Sequence, residues 1–290
     1  MQTQYWNTLI SAQALNERLR DSHLVIVDCR FELGKPNSQA GRTAYQQAHI
    51  PGAVYAHLDE DLSGPITATS GRHPLPAVDI LSAALGRWGI DSTTQVVAYD
   101  ADNGAMAAAR LWWLLRWLGH EHVAVLDGGF KHWQASGLPL TSSEFTVAPK
   151  IFMPAINAHL LVTADDVASR IQQADWRIVD ARAPERYAGE VEPLDPIAGH
   201  VPSAINQPFV RNVDGEGRFL EASVLQQQFA QLLGDIEPTQ VVNMCGSGVT
   251  ACHNVLAMEV AGLHGSKLYA GSWSEWSKNK QRAVATGRLP

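Results

Sequence analysis

Residues 241–252 read Val-Val-Asn-Met-Cys-Gly-Ser-Gly-Val-Thr-Ala-Cys, which predicts a strand, a tight loop and the start of a helix. Val241 and Val242 begin an apolar run short enough to be a buried strand. Cys245 follows the strand directly. In such a loop the backbone amides point inward, and together with the N-terminus of the following helix they stabilise an anion. Because the thiolate is the reactive form of cysteine, Cys245 is a candidate nucleophile. The alternative is a small buried cysteine at a strand end.

Composition narrows the classes of function. The chain has 290 residues, 46% of them hydrophobic, which is enough for one large or two ordinary domains. A net charge of −7 gives no sign of a nucleic-acid-binding surface. We expect no membrane span and no signal peptide. The three cysteines, Cys29, Cys245 and Cys252, favour a reducing cytoplasm over a disulfide framework, and their spacing predicts no metal site.

Four segments of the first half return in the same order about 150 residues later, a spacing too long for a solenoid repeat. This order predicts a duplicated domain. The expected boundaries are residues 1–140 for the first copy, 141–161 for a linker and 162–290 for the second copy. The matched segments are 27–30 with 179–182, 48–53 with 199–204, 96–100 with 241–245 and 127–133 with 270–276.

Each half alternates strands and helices, and its strands are continuous apolar runs. This pattern is typical of an α/β fold in which a mostly parallel sheet carries helices on both faces. Ligands of such sheets bind at the carboxyl ends of the strands, where Cys245 and Asp100 both lie. An aspartate cannot replace a thiolate nucleophile. We therefore expect one active site, in the second half, and a structural role for Asp100.

The chain resembles the two-domain rhodanese-type sulfurtransferases over nearly its whole length. The duplicated Asp-x-Arg strand ends carry the resemblance, with the segments that begin at His49, His200 and Ala270. Most specific is the loop Cys-Gly-Ser-Gly-Val-Thr at 245–250, which is similar to that of the 3-mercaptopyruvate sulfurtransferases. Thiosulfate-preferring members carry basic residues after the cysteine. The resemblance implies two tandem rhodanese-like domains, the first without a catalytic cysteine.

The resemblance also implies the chemistry. Cys245 takes sulfane sulfur from 3-mercaptopyruvate as a persulfide and passes it to a thiol or to cyanide, with no cofactor. A thioredoxin-like protein is one possible acceptor, and neither nucleic acid nor a membrane is implied as a partner. Two alternatives stay open: thiosulfate as the donor, or a persulfide carrier that serves a protein partner. The loop residues implied in substrate binding are Gly246, Gly248, Val249 and Thr250.

Further site residues follow from the same resemblance. Ser247 matches a position whose hydroxyl takes part in proton transfer, although it is also a common turn residue. His73 and Asp59, both within the long loop 59–77, match a pair that reaches the catalytic pocket. Such a pair is suited to moving a proton near neutral pH. The alternatives are a loop histidine and a solvated acid.

Arg186 matches an arginine that binds the substrate anion, although a solvated surface arginine is the simpler interpretation. A second arginine is expected a few residues later, but Leu194 stands near that place. Carboxylate binding would then be weaker, or another cation must help, and Arg182 or Arg72 could supply it.

A cysteine-dependent phosphatase is a related alternative, because a similar loop binds phosphate in those enzymes. Their arginine would fall at residue 251, which is Ala251, so this class is excluded. Cys252 is expected to be packed in the core, and a regulatory disulfide stays open.

Overall fold

The computed structural model describes residues 5–32 and 38–290. They form two compact units. The first contains the described residues up to Gly64, together with Pro76–Asn157 and Gly215–Phe219. The second contains Pro65–Leu75, Ala158–Asp214 and Leu220–Pro290, so a short segment from the first half of the sequence packs with the second unit. Within the described ranges, no helix is long and apolar enough to cross a membrane.

The first unit is built on a five-stranded parallel sheet with strand order β1-β5-β4-β2-β3. Its strands are β1 (Leu9–Ile10), β2 (Leu24–Asp28), β3 (Ala53–Tyr55), β4 (Gln95–Tyr99) and β5 (Val123–Leu126). Its helices are α1 (Ala12–Glu17), α2 (Ala40–Gln47), α3 (Val78–Arg87), α4 (Ala108–Trp117) and α5 (Gly129–Ala135).

The second unit has the same topology, with strand order β6-β10-β9-β7-β8 and parallel pairing throughout. Its strands are β6 (Leu161–Val162), β7 (Arg177–Asp180), β8 (Ile205–Asn206), β9 (Val241–Met244) and β10 (Lys267–Tyr269). Its α-helices are α6 (Ala164–Arg170), α7 (Pro184–Tyr187), α8 (Ala222–Leu233), α9 (Ala251–Val260) and α10 (Ser272–Trp276). Three short 3-10 helices lie at Ala158–Leu160, Phe209–Asn212 and Pro238–Gln240. The predicted duplication and α/β fold class are confirmed.

The repeated Asp-x-Arg motif forms the same buried ion pair in both units. Asp28, at the end of β2, accepts hydrogen bonds from Nε and Nη2 of Arg30, and the same guanidinium donates to the carbonyl of Ala48 at 2.6 Å. Asp180 and Arg182 repeat this arrangement at the end of β7. Because both partners are buried and hydrogen-bonded, each ion pair fixes the end of its strand to the following segment.

Each unit also contains a tyrosine stacked on a histidine. The ring centroids of Tyr45 and His49 are 4.0 Å apart, and those of Tyr187 and His200 are 3.9 Å apart. In both pairs Nδ1 of the histidine lies within hydrogen-bond distance of the tyrosine's own carbonyl oxygen. Burial lowers the pKa of His200, which favours the neutral form of its ring.

Candidate active site

Cys245 lies directly after β9 and is 2% exposed. Its amide donates to Oγ of Ser272 at 3.0 Å, and its carbonyl accepts from the amide of Trp273 at 3.0 Å. The amide of Gly248 donates to the Cys245 sulfur at 3.1 Å. A backbone donor aimed at the sulfur stabilises the thiolate, as the sequence of the loop predicts.

The loop can close around the sulfur only because Gly248 has no side chain. Its φ is +78°, and a Cβ at this position would collide with the carbonyl oxygen of Ala270. Val249 is buried, and Thr250 has helical backbone angles as the residue before α9, with no side-chain capping bond. The last turn of the loop therefore leads straight into the helix.

Ser272 is a site residue that the sequence reasoning did not single out. It has a φ of +53°, which is strained for a residue with a side chain. Its hydroxyl accepts from the Cys245 amide and donates to the carbonyl of Tyr269 at 2.9 Å. The equivalent residue of the first unit is Gly129, with a φ of +57°. In the sequence, this position is distinguished by having serine in the second copy where the first copy has glycine.

His73 and Ser247 are brought together, as the resemblance implied. Nδ1 of His73 lies 2.7 Å from Oγ of Ser247, and both residues are buried. His73 belongs to Pro65–Leu75, whose main chain is hydrogen-bonded to side chains of the second unit. The amide of Arg72 donates to Oγ of Ser274 at 3.0 Å, and Nζ of Lys278 donates to the carbonyl of Ser70 at 2.7 Å.

Asp59 belongs to the first unit, where its amide donates to Nδ1 of His57 at 3.1 Å. Its pairing with His73 in catalysis stays a prediction.

Two arginines lie beside the loop at the residue that follows the nucleophile. A Cβ at Gly246 would be 2.9 Å from Nη2 of Arg72 and 3.3 Å from Nη1 of Arg186. Arg186 donates to Glu192 at 2.7 Å and to Asp195 at 3.4 Å, and Arg72 forms an ion pair with the other oxygen of Asp195. Asp195 therefore bridges the two guanidinium groups.

Arg182 is placed differently. It is buried against Asp180 and also pairs with Glu192 at 3.4 Å. Burial by itself would lower the pKa of Arg182, but the charges of these two acids raise it overall. Leu194 is half exposed, and its amide donates to Glu192 at 3.0 Å. Of the two cations that could replace an arginine near position 194, Arg72 has a partly exposed side chain beside Gly246, whereas the side chain of Arg182 is 1% exposed.

The equivalent loop of the first unit is filled by its own carboxylate. Asp100 accepts hydrogen bonds from the amides of Gly104 at 2.8 Å, Met106 at 3.0 Å and Ala107 at 3.3 Å. Its carbonyl accepts from the amide of Phe130 at 2.9 Å, as that of Cys245 does in the second unit. Burial raises the pKa of Asp100, and the three amides oppose that effect. A side chain of the protein thus occupies the anion position here, which agrees with a structural role.

Comparison with known proteins identifies the family. The chain matches the rhodanese-like domain over residues 11–136 and again over residues 163–279. It is 46% identical to a Pseudomonas aeruginosa protein named "Probable 3-mercaptopyruvate sulfurtransferase", over 96% of this chain and 98% of that one. It is 32% identical to the thiosulfate sulfurtransferase of Rattus norvegicus, over 93% of this chain and 92% of that one.

A solved structure agrees. The 3-mercaptopyruvate sulfurtransferase from Leishmania major superposes with a TM-score of 0.82 at 28% identity, covering 95% of this chain and 75% of that one. These matches span both units and include the segment that carries Cys245. The chain therefore belongs to the rhodanese family, as a two-domain rhodanese-type sulfurtransferase.

Proposed function

We propose that this enzyme takes sulfane sulfur from 3-mercaptopyruvate, holds it as a persulfide on Cys245 and passes it to a thiol or to cyanide. The observation that carries the proposal is the hydrogen bond from the Gly248 amide to the Cys245 sulfur, at 3.1 Å. The two residues after the cysteine, Gly246 and Ser247, are uncharged. The names of similar proteins support the same donor.

The first step balances as a sulfur transfer with one proton moved. The Cys245 thiolate attacks the donor's sulfur, and the carbon–sulfur bond breaks. Its electron pair goes to the carbon as the enolate of pyruvate. The proton of the donor's thiol ends on that carbon, which gives pyruvate and leaves the persulfide as an anion. The Gly248 amide is placed to stabilise the negative charge on the cysteine sulfur from which this step starts.

The Ser247–His73 pair is suited to carrying that proton. The hydroxyl can both accept and donate, and the imidazole can hold a proton near neutral pH. The 2.7 Å contact between them lets one relay to the other. We assign the pair to accepting the thiol proton and returning it to carbon.

In the second step an acceptor attacks the outer sulfur of the persulfide. Cyanide leaves as thiocyanate and a thiol leaves as its own persulfide, and in both cases the Cys245 thiolate is restored. A dithiol protein of the thioredoxin kind would become a disulfide and release hydrogen sulfide. We propose such a thiol as the acceptor in the cell.

Charge favours 3-mercaptopyruvate over thiosulfate. The site's arginines are matched in number by buried acids, so the cluster carries little net charge and suits a monoanionic carboxylate better than a dianion. The arginines are Arg72, Arg182 and Arg186, and the acids are Asp180, Glu192 and Asp195.

The test is kcat/KM for each donor on one preparation, with cyanide as the common acceptor. We expect 3-mercaptopyruvate to be preferred at least about tenfold, which corresponds to about 1.4 kcal/mol of transition-state discrimination. A preference for thiosulfate would contradict the donor assignment. Negligible rates with both would leave the enzyme as a carrier that loads a protein partner.

A further inference from the structure

We propose that Arg72 and Arg186 together bind the carboxylate of the sulfur donor, and that Asp195 holds the two guanidinium groups in position. The inference deepens the proposed function and rests on it for the identity of the donor. It assigns a substrate-binding role to Arg72, which lies far from Arg186 in sequence, and a positioning role to Asp195.

The two guanidinium groups converge beside the nucleophile. The distances of 2.9 and 3.3 Å from a Cβ at Gly246 to Arg72 and Arg186 mean that a side chain there would push into both. The absence of a side chain at Gly246 lets both guanidinium groups approach the backbone of the loop. Because Gly246 follows Cys245 directly, the two cations lie one residue from the nucleophile, where they can attract the carboxylate of a donor whose sulfur meets Cys245.

A run of alternating charges leads to Arg72. It begins at the buried Asp180 and ends at Arg72, which pairs with Asp195. The order of the ion pairs is Asp180, Arg182, Glu192, Arg186, Asp195 and Arg72.

Near its outer end, the arginines of this run are more exposed to solvent than the acids. The side chains of Arg72 and Arg186 are 27% and 20% exposed, whereas those of Glu192 and Asp195 are 3% exposed. An approaching anion therefore meets N–H donors, with the carboxylates behind them.

Asp195 has a physical reason to lie between the two arginines. Two guanidinium groups side by side repel each other, and a bridging carboxylate offsets that repulsion while fixing their orientation. Each planar guanidinium keeps further N–H donors that can bind an external carboxylate. A lysine at the same place would offer only a compact positive charge.

The main chain fixes Arg72 independently of its side chain. Its amide bonds to Ser274, and a Cβ on Gly71 would lie 2.6 Å from the carbonyl oxygen of Gly271, so the two segments are in close contact. The next residue is His73, which contacts Ser247. One short segment thus delivers both a carboxylate-binding cation and a proton-transfer group, which accounts for an active donor site without an arginine at Leu194.

The experiment compares Arg72→Gln, Arg72→Lys and Asp195→Asn with wild type. Arg288→Gln is the control, since Arg288 is an exposed arginine of the same unit paired with Glu190. In a ping-pong reaction, kcat/KM for 3-mercaptopyruvate reports the first step and kcat/KM for 2-mercaptoethanol reports the second. We expect Arg72→Gln to lower the first by about 10- to 100-fold and leave the second within about twofold, because one charge-assisted interaction is lost.

The other variants refine the assignment. Arg72→Lys should show a smaller fall in kcat/KM than Arg72→Gln, since lysine keeps the positive charge but lacks the planar guanidinium. Asp195→Asn should raise KM for 3-mercaptopyruvate more than it lowers kcat, because the two guanidinium groups lose the carboxylate that orients them. Arg288→Gln should behave as wild type. A kcat/KM for 3-mercaptopyruvate in Arg72→Gln within about twofold of wild type, or equal losses in both half-reactions, would overturn the role of Arg72.

Titration of the resting enzyme with pyruvate separates this inference from the proposed function. Pyruvate carries the same carboxylate and carbonyl but no sulfur to transfer. If wild type does not turn over 3-mercaptopyruvate, the donor assignment fails. Weaker pyruvate binding by Arg72→Gln would then still support the carboxylate site, and equal binding by variant and wild type would overturn it.

Discussion

At the scale of single residues, the site depends on side chains that hold other groups in place. Ser272 adopts a left-handed backbone so that its hydroxyl can meet the Cys245 amide. That conformation costs on the order of 1–3 kcal/mol, so the surrounding contacts must enforce it. The Ser247–His73 pair likewise has a defined geometry only because a distant segment of the chain folds against the loop.

Two substitutions at Ser272 separate its hydroxyl from its backbone strain. Ser272→Ala removes the hydroxyl and keeps the strain, so we expect both kcat and the melting temperature to fall. Ser272→Gly removes both, so stability should lie closer to wild type while kcat stays low. Steady-state kinetics and thermal unfolding of the two variants measure this. Full activity of Ser272→Gly would show that the hydroxyl is dispensable.

The two donors distinguish proton transfer from general damage at the Ser247–His73 pair. Release of pyruvate needs a proton on carbon, whereas release of sulfite from thiosulfate needs none. We expect His73→Gln to lower kcat with 3-mercaptopyruvate by about 10²- to 10⁴-fold and to affect any thiosulfate rate far less. Equal losses with both donors would argue against a proton-transfer role.

At the scale of elements, the strand–loop–helix around Cys245 was predictable because its signals are local. A short apolar run, two glycines and helix-favouring residues lie within twelve positions of one another. The duplicated order of segments then predicted that the second half repeats the α/β fold of the first. Ser272 and Arg72 were harder to assign, since their roles come from contacts between segments distant in sequence.

Gly248 tests how tightly the loop is packed, and Gly262 provides a matched control. Both have a positive φ, at +78° and +75°, but a Cβ at Gly262 would meet no atom within 4 Å. Gly262→Ala should therefore cost only the backbone strain, about 1 kcal/mol. Gly248→Ala adds a collision with Ala270 and should cost at least about 1 kcal/mol more, with loss of activity. Equal free energies of unfolding for the two variants would contradict this packing.

At the scale of the whole molecule, the two copies of one fold differ in the side chain that the equivalent loop surrounds. Asp100 fills the anion position in the first unit, and the Cys245 thiol occupies it in the second. The identity of this one residue was visible in the aligned halves, so the location of the catalytic half could be predicted. Burial of charged groups elsewhere could not be predicted in this way, because it depends on packing.

His120 gives the first unit a predicted pH dependence. Burial lowers its pKa from 6.5 to about 4, and neighbouring His122 adds to the effect. Between those values the unfolded chain binds more protons, so stability falls as the pH drops through this range. Between pH 7 and pH 5 the wild type should lose about 1–2 kcal/mol more unfolding free energy than His120→Gln.

The control for that experiment is His23→Gln, because His23 is exposed. It should lose as much unfolding free energy as wild type over the same pH range. Parallel curves for wild type and His120→Gln would contradict a lowered pKa for His120. The measurement is the free energy of unfolding by denaturant of wild type and of each variant at each pH.

The most direct test of the account is mass spectrometry of the enzyme after one equivalent of 3-mercaptopyruvate, without an acceptor. We expect the protein to gain the mass of one sulfur atom at Cys245 and to release one pyruvate per chain, and we expect the folded Cys245→Ser variant to show neither. Pyruvate release by Cys245→Ser, or sulfur found on Cys29 or Cys252 instead, would contradict it.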